Sequence, residues 1–441
     1  MSTELLGRLL LAGTVTLAFA ACSDDEGEGG STPDTGDMTD SGDMTDGGDM
    51  TDVTPGGTNV SQEGCTQIDG FATFCENITE DTTWSNDGQT ILLEGIVFVD
   101  GATLTIEPGV NIVGDGTDGE SDALVVATTG SIDAQGTADA PIVFGSARGD
   151  NAEPGDFGGV VLLGNASINV GTATIEGMEA SDLSAYGGED DMHNCGTLRY
   201  VRIEYAGSVF GTDNELNGLT LGGCGSDTTL EYIQSHRGLD DGIEFFGGTA
   251  DMRYAVISFS GDDGLDWDEG YRGNIQNIAI TGQSDNGIEA DNLGDDNDAL
   301  PRSNPTIWNM TIDCNGNERA MNLRRGTGAY LNNVIITRCE KEPFDIRDTA
   351  TVDQINGGTL TMSNVIAFGN GDFSDETGVD ADGESNDDDG GFVEADWFNA
   401  DNVPGLSTED PQLNATWNPA EGSTAANGGT PDGGFDASQT Q

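Results

Sequence analysis

The sequence predicts an all-β solenoid, a stack of short parallel strands joined by turns, behind a disordered acidic stalk. Three observations predict it. Glycine is abundant, at 67 of 441 residues, against 35% hydrophobic residues, which suits many turns and short apolar strands. Strand-like phrases recur at a nearly regular interval. A carboxylate-rich turn, "GLDDGIEFFGG" from Gly238, returns as "GDDGLDWDEGY" from Gly261 and as "SDNGIEADN" from Ser284.

The recurring strands are "LRYVRIEYAG" (Leu198), "LEYIQSHRG" (Leu230), "MRYAVISFSG" (Met252), "IQNIAITG" (Ile275), "IWNMTIDC" (Ile307), "LNNVIITRC" (Leu331) and "MSNVIAFGNG" (Met362). Anchored on Tyr200, Tyr232, Tyr254, Asn277, Asn309, Asn333 and Asn364, the steps are 32, 22, 23, 32, 24 and 31 residues. A coil of 22 to 24 residues, sometimes enlarged by eight or nine, fits these steps. Each unit has a second strand after a glycine-containing turn: "GIEFF" (Gly242), "GLDWD" (Gly264), "GIEAD" (Gly287), "AMNLR" (Ala320) and "PFDIR" (Pro343). Two or three strands per coil with no helix between them indicate stacked parallel strands. A propeller blade would need roughly 40 residues, and the Leu/Asn lattice of leucine-rich repeats is absent.

Ahead of Tyr200 the phrases "GATLTIEPG", "GTADAPIVFGS" and "GDFGGVVLLGNASINVG" continue the plan with more irregular turns. Together with "LRYVRIEYAG" they resemble a family of secreted bacterial proteins, many of them lipoproteins, of unestablished activity. The resemblance covers roughly Trp84 to Asn370 and implies a right-handed parallel β-helix with coils of about 22–32 residues. Phe157 stands where that family usually has Trp.

The N-terminus, "MSTELLGRLLLAGTVTLAFAAC", has one Arg, an apolar run from Leu9 to Phe19 and small residues before Cys22, the layout of an export signal. The run is too short for a membrane-spanning helix. "FAAC" resembles a bacterial lipobox, which implies acylation of Cys22 as the first mature residue. In a Gram-negative cell, Ser23 after it implies sorting to the outer membrane, with an exported, lipid-anchored protein at the outer membrane or cell surface. The domain plan is a signal at 1–21, a disordered acidic linker at 22–60 with three "GDMTD" repeats, an N-terminal cap at 61–90, the β-helix at 91–400, and a C-terminal cap and flexible tail at 401–441.

Charge narrows the function. With 14 Lys+Arg against 80 Asp+Glu, net −66, the chain excludes nucleic acid and anionic membrane surfaces as partners, since these need cationic side chains. Its one lysine, Lys341, leaves little scope for Lys-based catalysis. The "DD" pairs Asp240–Asp241 and Asp262–Asp263 resemble those of polygalacturonase-like hydrolases, but the accompanying Gly-His-Gly and Arg-Ile-Lys elements are missing. Arg319, Arg324, Arg325, Arg338 and Arg347 cluster in successive coils and offer charge neutralisers to a lyase. His193 and His236 lie far from any second histidine, and read as turn or surface residues. The aromatics Tyr200, Tyr205, Tyr232, Tyr254, Phe245, Phe246 and Trp267 read as core or stacked ladders rather than a sugar platform. No residue is assigned a catalytic role. The expected function is binding, adhesion or envelope structure, with extracellular polysaccharide or envelope proteins as partners. The alternative is a carbohydrate-active enzyme, a polysaccharide lyase or glycoside hydrolase on the same scaffold.

Six cysteines follow Cys22, an even number that favours disulfides in an exported chain. Cys314 and Cys339 occupy nearly matching places in adjacent coils, and stacked strands about 4.8 Å apart lie within disulfide reach. The expected pairs are Cys314–Cys339, Cys195–Cys224 and Cys65–Cys75.

Aligning Gly242, Gly264 and Gly287 stacks Glu244, Asp266 and Glu289 in one column and Asp241, Asp263 and Asn286 in another. Two readings stand. In one, Ile243, Leu265 and Ile288 point inward while the acids face solvent and are screened. In the other, Asp241, Glu244, Asp263, Asp266 and Glu289 supply hard oxygen ligands to calcium, which links coils that otherwise repel.

Overall fold

The computed structural model describes residues 59–116, 121–211, 214–374, 388–415 and 417–427. Cys22, the export signal, most of the acidic linker and the end of the tail lie outside the described residues. The rest is a parallel β-helix. One sheet of 14 strands runs from Phe71–Phe74 at one end to Leu360–Phe368 at the other. A second, of nine shorter strands, runs from Ile96–Val99 to Phe344–Ile346. Successive strands within each sheet pair in parallel, so the chain passes from one sheet to the other once per coil.

The anchors of the sequence repeat mark a corner. Tyr200, Tyr232, Tyr254, Asn277, Asn309, Asn333 and Asn364 all have φ between 49° and 61°, and each bends its long strand into two arms. The arms of Gly196–Glu204 pair with two separate strands of the earlier coils, Ser131–Gln135 and Ile142–Ser146. Asparagine adopts this left-handed conformation readily, whereas tyrosine does so at a cost. Stacking offsets it: the Tyr200 and Tyr232 rings lie 4.3 Å apart, and those of Tyr232 and Tyr254 lie 4.5 Å apart. Past Tyr254 the column continues in amides, with Asn309 Nδ2 donating to Asn277 Oδ1 at 3.1 Å and Asn333 Nδ2 to Asn309 Oδ1 at 2.8 Å.

Alternation sends one face of every strand into the lumen. Ile243, Leu265 and Ile288 stack in register there, fully buried, with Phe245 and Trp267 two residues on. Open edges at the ends would invite further strand pairing, and both are covered. At one end Trp84 packs on Phe74, and the Cys65–Cys75 disulfide ties down the preceding loop. At the other, Phe344 meets Phe373, Trp397 and Phe398 edge-on, with ring centroids 4.9 to 5.9 Å apart. All three expected disulfides form; Cys314 and Cys339 have Cα atoms 4.8 Å apart.

Among the described residues, two antiparallel excursions break the coil rhythm, the smaller being Ser208–Gly211 paired with Asn214–Leu216. In the larger, between Gly159–Leu163 and Gly196–Glu204, the chain leaves the solenoid and returns as the short antiparallel pair Ala173–Thr174 and Ala185–Tyr186. Its Ile168, Ile175 and Tyr186, with Leu216, cover Ala123, Val125, Val161 and Leu163, so this stretch of the nine-stranded sheet is apolar on its outer face too.

Candidate functional site

The repeated acidic turn leads into the nine-stranded sheet, just beyond the area that the insert covers. Its glycine is dictated by packing. A Cβ on Gly242 would lie 2.2 Å from Ile257 Cγ2, and one on Gly264 would lie 2.4 Å from Ile280 Cγ2. The residue before each glycine has a structural task. Asn217 Oδ1 accepts the Asp241 N–H at 3.2 Å, Asp241 Oδ1 accepts the Asp263 N–H at 2.8 Å, and Asp263 Oδ1 accepts the Asn286 N–H at 2.5 Å. Each side chain thus satisfies a buried amide of the next coil, a need that recurs with the coil period.

The residue two beyond each glycine builds the second column. Thr220, Glu244, Asp266, Glu289, Asn322 and Asp345 face one another in strict register on the outer surface of the sheet. This column does not simply face solvent. Glu244 is only 7% exposed, Asp241 8% and Asp263 4%, while Asp266 and Glu289 are half-buried. Burial overrides the simple alternation argument at Glu244, where Glu176 of the insert meets it through Asn217. The structure therefore brings together all five residues singled out from the sequence. Carboxylate oxygens of Asp241, Glu244 and Asp266 lie within 4.8 Å of one another, as do those of Asp263, Asp266 and Glu289. On the turn side, Asp240, Asp241 and Asp262 form a similar group, and so do Asp262, Asp263 and Asp285.

Compensation of this charge is uneven along the column. Arg324 pairs with Glu289 and, at 2.8 Å, with Asp291; Arg325 reaches Asp291 at 2.7 Å. Arg319 holds Glu342 at 3.1 Å and also Asp345. The arginines that the sequence offered as charge neutralisers are therefore committed to carboxylates, Arg338 to Asp313 and Arg347 to Asp388 included. One or two coils away, no Arg or Lys among the described residues forms an ion pair with Asp240, Asp241, Glu244, Asp262, Asp263 or Asp266. Burial, then the neighbouring negative charges, push Asp241, Glu244, Asp263 and Asp266 well above the usual carboxylate range. The same causes bring Asp240 to about 7.

Glu176 was not legible in the sequence as part of this site. It comes from the insert, where no coil spacing places it, and burial raises it to about 7. Asn217 Nδ2 donates both to Glu176 Oε1, at 3.2 Å, and to Glu244 Oε2, so two carboxyl groups meet at one amide.

The histidines and aromatics lie elsewhere. His236 is buried against Ser258, whose Oγ is 2.9 Å from Nδ1, with Tyr205 and Phe259 edge-on to the ring. His193 is half-buried in the loop before Cys195. Tyr200, Tyr232 and Tyr254 cover each other's faces, while Phe245 stacks on Tyr271 at 4.2 Å and Trp267 Nε1 donates to Thr327 Oγ1 at 3.0 Å inside the core.

Chemically, the strip is a set of hard oxygen donors on a rigid sheet, neutralised at one end and left uncompensated at the other. No curated protein and no solved structure matches the chain. Over residues 76–417 the chain matches the family model described as the pectate-lyase like beta helix domain, and it belongs to that family.

Proposed function

We propose that this protein is a lipid-anchored β-helix of the cell surface, with a binding, adhesion or envelope-structural role, and that its acidic column binds divalent cations. Calcium fits the donor set: it takes 6 to 8 oxygens at flexible geometry, and carboxylates from successive coils offer them without rearranging the sheet. One observation carries the reading. The chain neutralises the buried carboxylates of the Glu289 and Asp345 coils with its scarce arginines, yet among the described residues no arginine forms an ion pair with Asp241, Glu244, Asp263 or Asp266. Like charges stacked about 4.8 Å apart and withdrawn from water repel, so a cation that binds only the folded arrangement stabilises it. Anchoring through acylated Cys22 would hold the protein at the membrane surface, where extracellular polysaccharide or envelope proteins are the expected partners.

Thermal unfolding tests the reading. Millimolar CaCl₂ should raise Tm well beyond NaCl at matched ionic strength, and EDTA should reverse the gain. Equal shifts in the two salts would reduce the effect to screening and remove the cation site.

A carbohydrate-active enzyme is the second reading, favoured by carboxyl groups near 7 at Glu176 and Asp240, the range a general acid at neutral pH requires. Depolymerisation of acidic or neutral polysaccharides that is lost in Asp241→Asn would support it over the binding role.

A further inference from the structure

We propose that the cation site is completed from above by the insert, with Glu176 and Thr220 joining Glu244 as ligands, so that the bound ion fastens the segment Ala173–Tyr186 to the coil. This inference rests on the divalent-cation reading and extends it to residues outside the repeat.

Much of the seam between insert and sheet is matched. Its apolar side chains meet apolar side chains. Tyr186 Oη donates to Glu269 Oε2 at 2.8 Å, and Arg272 meets the insert's Asp191 at 3.2 Å. At Glu176 a carboxyl of the insert meets a carboxyl of the coil directly, the two also sharing the Asn217 amide nitrogen, so that as carboxylates they would repel. Thr220 supplies an independent sign. It occupies the rung next to Glu244 in the outward column and is fully buried, yet its Oγ1 has no hydrogen-bond partner among the described residues. A buried hydroxyl without a partner costs free energy, and threonine is retained here where valine, as at Val161 one rung earlier, would fill the same space. A hard cation seated at Glu244 would take the Thr220 hydroxyl and the Glu176 carboxylate as oxygen ligands, answering both defects at once. Carboxylates of Asp241 and Asp266, within 4.8 Å of Glu244, supply the other side.

The insert would then be a cover whose docking depends on the ion. Calcium binding to the full-length protein is measured by titration calorimetry, and hydrogen exchange of residues 173–186 is followed with and without calcium. The expected result is slowed exchange in this segment on adding calcium to the wild type, with affinity about ten-fold weaker in Glu176→Gln and the slowing abolished. Thr220→Val preserves shape and removes only the oxygen; it should keep the fold while weakening calcium several-fold. If the wild type binds calcium but exchange in 173–186 is unchanged and both variants bind as tightly, the insert plays no part and the column alone is the site. If the wild type binds no calcium, the inference and the reading beneath it both fall.

Discussion

Asp241 Oδ1 accepts the backbone N–H of Asp263, one coil further along, at 2.8 Å. The same carboxylate lies within 4.8 Å of those of Glu244 and Asp266. One side chain therefore serves architecture through one oxygen and adds charge to the candidate site, and two substitutions separate these roles. Asp241→Asn keeps an oxygen acceptor, as Asn217 does at the equivalent place one coil earlier. It should leave stability without calcium unchanged or higher, and diminish the calcium-dependent rise in Tm. Asp241→Ala strands the buried Asp263 amide and should cost about 1–3 kcal/mol in urea unfolding, with or without calcium. Equal stability of the two variants in EDTA would contradict the architectural role.

His236 gives a pH dependence with a definite sign. Burial, with the charges of Arg237 and Arg202, lowers it from 6.5 to about 4, and the groups packed on it, Tyr205, Phe259 and Ser258, supply no negative charge. The folded value lies below the unfolded one, so the unfolded chain takes up the proton first as the pH falls. Stability from the neutral ring is complete above about pH 6.5 and is lost progressively down to about pH 4; the gap corresponds to on the order of 3 kcal/mol. Carboxylates with raised pKa values act in the opposite direction, but equally in wild type and variant. His236→Gln should therefore lose less stability than the wild type between pH 7 and pH 4, and parallel curves would refute the assignment.

The Cys314–Cys339 bridge joins adjacent coils near the C-terminal end of the solenoid. The double variant Cys314→Ser, Cys339→Ser should lower unfolding free energy by about 2–4 kcal/mol, read from urea midpoints. Reductant should then have a smaller destabilising effect on the variant than on the wild type.

The proposed anchor is tested by Cys22→Ser, which should release the protein from the membrane fraction or leave the signal uncleaved. A variant that still partitions fully with outer-membrane lipid would exclude acylation at this position.

The coil was legible because its cause is local and periodic. Strand alternation, a glycine where the turn packs against the sheet, and a corner residue able to take positive φ all recur with each coil. Tyr200, Tyr232 and Tyr254 therefore marked the corner together with the asparagines, although only the structure shows why tyrosine is tolerated there. Stacking of Glu244 on Asp266 and Glu289, and the pairing of Cys314 with Cys339, followed from the same period. What the period could not determine was environment. Alternation points Glu244 away from the lumen, but whether that outer surface meets water depends on Ala173–Tyr186, an insert with no coil spacing that folds back over the sheet. The partnering of Glu289 with Arg324, the lack of an ion pair at Glu244 and Asp266 among the described residues, and the meeting of Glu176 with Glu244 depend on side chains up to 68 residues apart in the chain. Sequence determines which residues repeat; tertiary structure decides which of their charges lose water and which find a partner, because desolvation and pairing depend on distances that only the folded chain sets.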